Sequence, residues 1–476
     1  MPNKFLLAVV AILLTMSTVL PAQTIQRLAH QPPDGAGICF LLTDGAVMCQ
    51  GNAESDFYKL TPDNTGSYVK GTWTRLPNLP SGYVPDAFAS AVLADGRVVI
   101  TGGEYLNGIV TLTNLGAIYD PKANTWTNLP PPASWQYIGD SPSVVLPNGF
   151  YMVGNKLTKS LAVLNPKTLT WTVLPGNGKS DFDAEEGWTL LPDRSVLTMD
   201  VKNAPNSERF VLSTKSWRTA GSTIVDLHSP SPFGCIPYGP GGTLCYFPPG
   251  EIGPAILRPD GTVFATGSYT STGSGAGHTA IYDTKTGKWT VGPDFPNGDN
   301  AGDSFAVLLP SGNVLVEGAF SSYEWDGVSL LQTLATPGSL LVLPTGQVLV
   351  GGTEVYNAKG TYDAAWAPTI TSVTTSVTRG QTYKISGTQF NGLSQAAAFG
   401  DEFETATNYP LVRITNNSTG HVFYAKTHDH STMGVATGSA IVSTNFDVPA
   451  TMESGASSLV VVANGIPSVP VSITVN

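Results

Sequence analysis

The chain has 476 residues, a formal net charge of -11 and only 12% charged residues, with 51 glycines and 36 prolines. Nucleic-acid binding and adhesion to anionic membranes need clustered Lys and Arg; no such cluster occurs, so both are excluded. A long, turn-rich chain of this kind fits many short strands rather than long helices, with room for a second domain.

Residues 1–22, "MPNKFLLAVVAILLTMSTVLPA", combine an early Lys4, an apolar run from Phe5 and small residues near Ala22. That is the pattern of a secretory signal peptide removed at the alanine. The run is short for a bilayer span, no later stretch could span one, and no cysteine stands at the cleavage point to carry a lipid. The expectation is a soluble protein, secreted or periplasmic, free of the membrane after cleavage. The four cysteines agree with export: Cys39 and Cys49, and Cys235 and Cys245, each flank a Gly-containing turn. Partners so placed face one another across an antiparallel hairpin, so two local disulfides are expected, and metal-type CxxC spacing is absent.

From residue 23 an internal repeat organises the chain. A turn of the type L-x-D/N/S-G recurs at Gly45, Gly96, Gly149, Gly261, Gly312 and Gly346, with Arg194 in the glycine place of "LLPDR". Each turn joins two apolar strands, and the outer half of several units ends in a tryptophan: Trp73, Trp126, Trp171, Trp217 and Trp289. A Trp at a fixed strand position reads as packing between neighbouring sheets. Seven units of four short strands, about 50 residues apart, predict a seven-bladed β-propeller over 23–366. The last unit supplies three strands before the pattern ends, so residues 24–31 are expected to complete it and close the ring. From 367 to 476 the alternation of apolar and polar residues continues without the blade signature, as in an immunoglobulin-like (early-set) β-sandwich.

The double glycines Gly102-Gly103 and Gly351-Gly352 that end second strands, and the following "YDP…W" segments, resemble kelch repeats. A seven-bladed kelch propeller with such a C-terminal domain resembles the galactose oxidase and glyoxal oxidase family over essentially the whole mature chain. The resemblance implies one copper held by two tyrosines and two histidines, with a cysteine cross-linked to one tyrosine. The residues here depart from it. Thr336 and Pro337 stand where the family's Tyr-His pair heads the last blade, Gly35 or Ala36 and Asp86 or Ala87 stand at the cysteine and tyrosine positions, and Glu404 aligns with the C-terminal histidine. Copper-radical oxidation is therefore not expected.

What occupies the strand starts is acidic. Nine or ten residues before the turn stand Asp86, Asp140, Glu185, Glu251 and Asp303. Innermost strands of a propeller surround its channel, so these acids are expected to form a ring at one mouth. Facing carboxylates repel unless a hard cation such as Ca²⁺, backbone amides or sugar hydroxyls offset them, or unless one stays protonated as a general acid. The local alternative is that each acid only accepts hydrogen bonds within its own loop.

Weaker features are His428 and His430 on one side of a strand, read as a surface or domain-interface pair, and His278, read as structural. The acidic run Asp181, Asp183, Glu185 and Glu186 is read as a solvated loop at the rim. Trp135, Tyr137 and Trp188 are candidate rim aromatics. Together these predict a non-catalytic binding module for an extracellular glycan or another polyhydroxylated ligand. The alternatives are a galactose oxidase-like oxidoreductase with an altered metal site, or a structural or adhesion protein that binds other proteins.

Overall fold

The computed structural model describes residues 23–229, 250–269 and 275–476, and also the paired strands Gly234–Tyr238 and Gly242–Tyr246. The signal-peptide expectation for residues 1–22 lies outside the described residues. So do the side chains of Cys235 and Cys245, whose backbones stand opposite each other in the hairpin.

Seven four-stranded antiparallel sheets follow one another along the chain, the blades of a propeller. Their innermost strands are Cys39–Leu41, Ala89–Val92, Ser143–Val145, Thr189–Leu190, Ala255–Leu257, Ala306–Leu308 and Leu340–Val342. Blade 7 takes its outermost strand from the start of the described chain: Thr24–Arg27 pairs antiparallel with Glu354–Asn357. Closure with strands from the two ends locks the ring and leaves only short blade edges. In blade 1 the Cys39–Cys49 disulfide links directly opposed residues of the first two strands.

The repeated turn has one physical requirement, a left-handed residue at its end. Gly45, Gly96, Gly149, Gly261, Gly312 and Gly346 have φ between 76° and 88°, and Arg194 is held at 72°. A side chain in this region costs roughly 1–2 kcal/mol. At blade 1 no side chain could be tolerated, because a Cβ on Gly45 would lie 2.4 Å from the Tyr424 ring. Arg194 instead borders an open recess lined by Pro147, Asn148 and Thr432. Arg194→Gly is therefore expected to stabilise the protein by about 1 kcal/mol in chemical denaturation, since it relieves strain without loss of packing.

Three of the repeated tryptophans tie their blade to the one before through the indole N–H. The indole N–H of Trp126 donates to the Pro77 carbonyl at 3.1 Å, that of Trp171 to Pro130 at 2.8 Å, and that of Trp289 to Ala220 at 3.2 Å. These three are packing residues with a backbone acceptor in the preceding blade, whereas the buried indole N–H of Trp217 has none among the described residues.

The C-terminal strands form a β-sandwich around Val377, Ile385, Val412, Ile414 and Phe446. It docks on the turn face of the propeller: Thr427 donates its backbone N–H to Thr43, His430 to Ala94 and Met433 to Pro147, each at 3.1 Å. One segment leaves the sandwich and enters the channel. Ala397–Ala398 pairs antiparallel with Ala306 and Val307, adding a fifth strand to blade 6. Phe399 and Phe403 of this plug pack on Phe305 of blade 6 and Phe88 of blade 2, with ring centroids 4.6 Å and 5.1 Å apart respectively. The plug thus carries the C-terminal unit's residues 401–404 towards the face opposite the turns.

Candidate functional site

The innermost strands start at that opposite face, and their first residues meet the tip of the plug. One carboxylate oxygen from each of Asp140, Glu185 and Asp401 lies within 4.8 Å of the others, and the same holds for Glu251, Asp303 and Asp401. Two triads thus share Asp401. Asp140, Glu185 and Asp401 are buried, Glu251 is half-buried, and Asp303 is exposed at the mouth. Glu185 and Asp303 occupy equivalent places in blades 4 and 6, and both are left-handed, at φ 51° and 49°. Non-glycine residues there store about 1–3 kcal/mol each, which the packed blades sustain.

The glycine before the shared acid explains how the tip fits. A Cβ on Gly400 would stand 2.4 Å from the Ile252 carbonyl oxygen, so the plug backbone passes directly against blade 5.

Four of the five sequence-predicted acids are brought together; Asp86 is not. Pro85–Asp86 is recruited as a short strand that pairs with Tyr105–Leu106, and Asp86 turns outward, its Oδ1 accepting from the Ala87 N–H at 2.9 Å. Its charge acts on Glu54 instead of on the ring. Blade 2 supplies Glu104 in its place, whose carboxyl is raised by burial and then feels Lys156, Glu185 and Asp303. Lys156, fully buried, donates to both Asp140 and Glu185. Glu104 and Lys156 both follow the second strand of their blades, which opens on the same mouth as the first strand's start.

One ammonium among so many acids leaves most carboxyls without a compensating charge. Burial lifts Asp140 well above the ordinary carboxylate value, with Lys156 pulling down and Glu185 pushing up. Burial acts on Glu185 too, but Lys156 and hydrogen bonds from Asp401, Lys156 and Asp140 outweigh it and hold Glu185 below the usual value. Glu251 is pushed up to about 10 by burial and by the charges of Glu185 and Asp303, its hydrogen-bond partner being Asp303. Asp401 is raised by burial and then by Glu402, and Glu402 itself reaches about 8 through burial. Glu404, the residue aligned with the family histidine, sits below the triads, where it accepts from Gln395 at 2.9 Å and from the Ala406 N–H at 2.7 Å. The plug's contribution to the mouth is Asp401, three residues earlier in the same acidic run.

The run at 181–186 corrects the expectation of a solvated loop. Asp181, Asp183, Glu185 and Glu186 are all buried. Lys179 draws the segment inward: its ammonium bonds Glu186 at 2.9 Å and Glu208 at 3.0 Å and lies 5.0 Å from the Trp217 ring centroid. Asp181 accepts the backbone N–H groups of Lys202 and Asn203. Trp188 is buried too, its indole N–H on Glu186 at 3.1 Å, so it is no rim platform; Trp135 and Tyr137 remain half-buried.

The histidines take local partners. His430 is buried beside Tyr409, bonds Thr444 at 2.9 Å, and is lowered to about 3 by burial and by His428. His428 bridges Asp429 at 2.7 Å and Asp447 at 3.2 Å, and His278 pairs with Asp294 at 2.7 Å. Among the described residues, the only groups of three or more His, Cys, Asp or Glu able to share a metal are the two acidic triads.

Above the mouth, two hairpins approach one another: Ile109–Val110, inserted in blade 2, and Gly234–Tyr238, inserted between blades 4 and 5.

No protein-family model matches the chain, and no curated protein matches it either. Solved structures do. A fungal alcohol oxidase of the AA5 family, in complex with copper, is 15% identical, with a TM-score of 0.48 over 95% of this chain and 98% of that one. A streptogramin B lyase is 13% identical, with a TM-score of 0.46 over 71% of this chain and 98% of that one. The virginiamycin B lyase of Staphylococcus aureus is 14% identical, with a TM-score of 0.44 over 71% of this chain and 98% of that one. The architecture of this chain, a seven-bladed propeller followed by a β-sandwich, stands on its own strand pairing.

Proposed function

We propose that the acidic mouth binds a polyhydroxylated ligand of the carbohydrate class, without chemistry of its own. The observation that supports this most is the imbalance of the mouth: two carboxylate triads hinged on Asp401, rich in acceptors and served, among the described residues, by the ammonium of Lys156. Such a surface takes a ligand rich in donors, and hydroxyl groups supply them. Exposed Asp303 and half-buried Glu251 make the outer triad the face a ligand meets first. Compartment follows from the Cys39–Cys49 disulfide, which supports an extracytoplasmic location, where sugars and polyols are available to an exported binder.

The donor set also bears on the copper alternative. Carboxylate oxygens suit hard cations, and copper sites of the resembled kind need imidazole and phenolate ligands at positions held here by Thr336, Pro337 and Glu404. A second reading, acid–base catalysis, is favoured by one observation: Glu185 is held below the usual carboxylate value while Glu251 is pushed to about 10. Neighbouring acids whose environments separate them in this way can serve as base and acid.

A glycan and polyol array probed with the purified protein tests the proposal. Saturable binding to carbohydrate hydroxyls without product release is the expected result. A blank array overturns the proposal, and release of new reducing ends from a bound glycan favours the catalytic reading.

A further inference from the structure

Carboxylates of three different segments, the starts of blades 5 and 6 and the tip of the plug, present oxygens within 4.8 Å of one another at Glu251, Asp303 and Asp401. Oxygens bound to calcium at roughly 2.4 Å stand at most about 5 Å apart, so this spacing suits a common ion. An independent observation points the same way. Asp140, which shares Asp401 with this triad, is 4% exposed, and its Oδ1 has no hydrogen-bond partner, while Lys156 holds its other oxygen. A buried carboxylate oxygen without a donor is costly unless a cation or an unseen donor meets it.

We infer that the mouth holds one hard divalent cation of the calcium class, between Glu251, Asp303 and Asp401, beside the inner triad in which Asp140 shares Asp401. The inference rests on the reading of this mouth as the ligand site and specifies how that ligand is held. Three carboxylates supply the protein donors, fewer than the six to eight oxygens that calcium takes. The remaining positions face the exposed side of Asp303, where water or vicinal hydroxyls of a polyol complete the shell. Lys156 is the built-in counterpart of the ion: the ammonium satisfies Asp140 and Glu185 on the inner side, and the metal satisfies the outer acids.

Calorimetric titration of CaCl2 into the EDTA-treated, desalted protein tests the inference. One equivalent per chain is expected. Glu251→Gln and Asp303→Asn should each weaken binding at least tenfold, and Asp86→Asn should leave it unchanged. Asn tolerates the left-handed backbone of residue 303, so that variant removes charge without new strain. Absence of saturable calcium binding by the wild type, or binding that survives both variants at full affinity, overturns the inference. If either variant fails to fold, the wild-type titration still decides. Calcium binding with a blank glycan array would sink the polyol reading alone, whereas polyol binding unchanged in EDTA would sink the cation alone.

Discussion

Replacing Lys156 with methionine is expected to cost about 3–5 kcal/mol of stability at neutral pH, the scale for removing one partner of a buried ion pair. Lys156 is completely buried and bonds two buried carboxylates, Asp140 and Glu185. Methionine fills the same space with an apolar chain, so the loss is electrostatic and not a cavity. The acids left behind must take up protons or stay charged far from water. Two further measurements make the cause visible. The triple variant Lys156→Met, Asp140→Asn, Glu185→Gln should recover most of the stability, because neither carboxylate partner of Lys156 is left charged. The cost of the single variant should also shrink as the pH is lowered, because the two acids left without Lys156 then take up protons at smaller cost. Denaturant unfolding of the three proteins at pH 7 and pH 4 checks this. Equal stability of wild type and Lys156→Met at pH 7 would show that the ammonium compensates nothing.

The second large effect is an inverted pH profile. Burial raises Asp183 to about 8, Asp200 to about 7 and Glu404 to about 8. Each keeps a proton in the folded protein that the unfolded chain, titrating near 3.8 for Asp and 4.5 for Glu, has already released. In that window the folded state binds more protons, so stability falls as pH rises, by about 1.4 kcal/mol per pH unit for each such group. The contribution is complete below the unfolded values and gone above the folded ones. The protein should therefore melt at higher temperature at pH 5 than at pH 8. Asp183→Asn, which removes one of these groups, should flatten the slope by one proton. A melting temperature that rises from pH 5 to pH 8 would contradict the buried, protonated state of these acids.

The blade repeat was legible because it is written in backbone requirements. A left-handed residue closes each inner turn, and six of the seven are glycine; the exception, Arg194, still left its "LLPD" context readable. Counting back from that turn found Asp140, Glu185, Glu251 and Asp303, since equal strand lengths carry equal offsets to the same rim. The method failed at Asp86 because a local pairing with Tyr105 took that residue out of its blade, an event no offset encodes. Glu104 and Lys156 were missed for a different reason. They follow second strands, which end at the same mouth, and a search of strand starts alone passes over them. Asp401 depended on tertiary threading: alignment pointed to Glu404, but which acid of the segment reaches the mouth is decided by the plug's pairing with Ala306 and Val307. The run at 181–186 was read as solvated because acids usually are; Lys179, two residues upstream, reverses that.

The account turns on whether the acids at the mouth meet the ligand. The most direct test is a calorimetric titration of the best-bound glycan from the array into the wild type and into the double variant Glu251→Gln, Asp303→Asn, with thermal unfolding recorded for both. A loss of at least tenfold in affinity with unfolding temperatures alike is the result predicted. Equal affinity of the two proteins would place the ligand elsewhere and contradict the account.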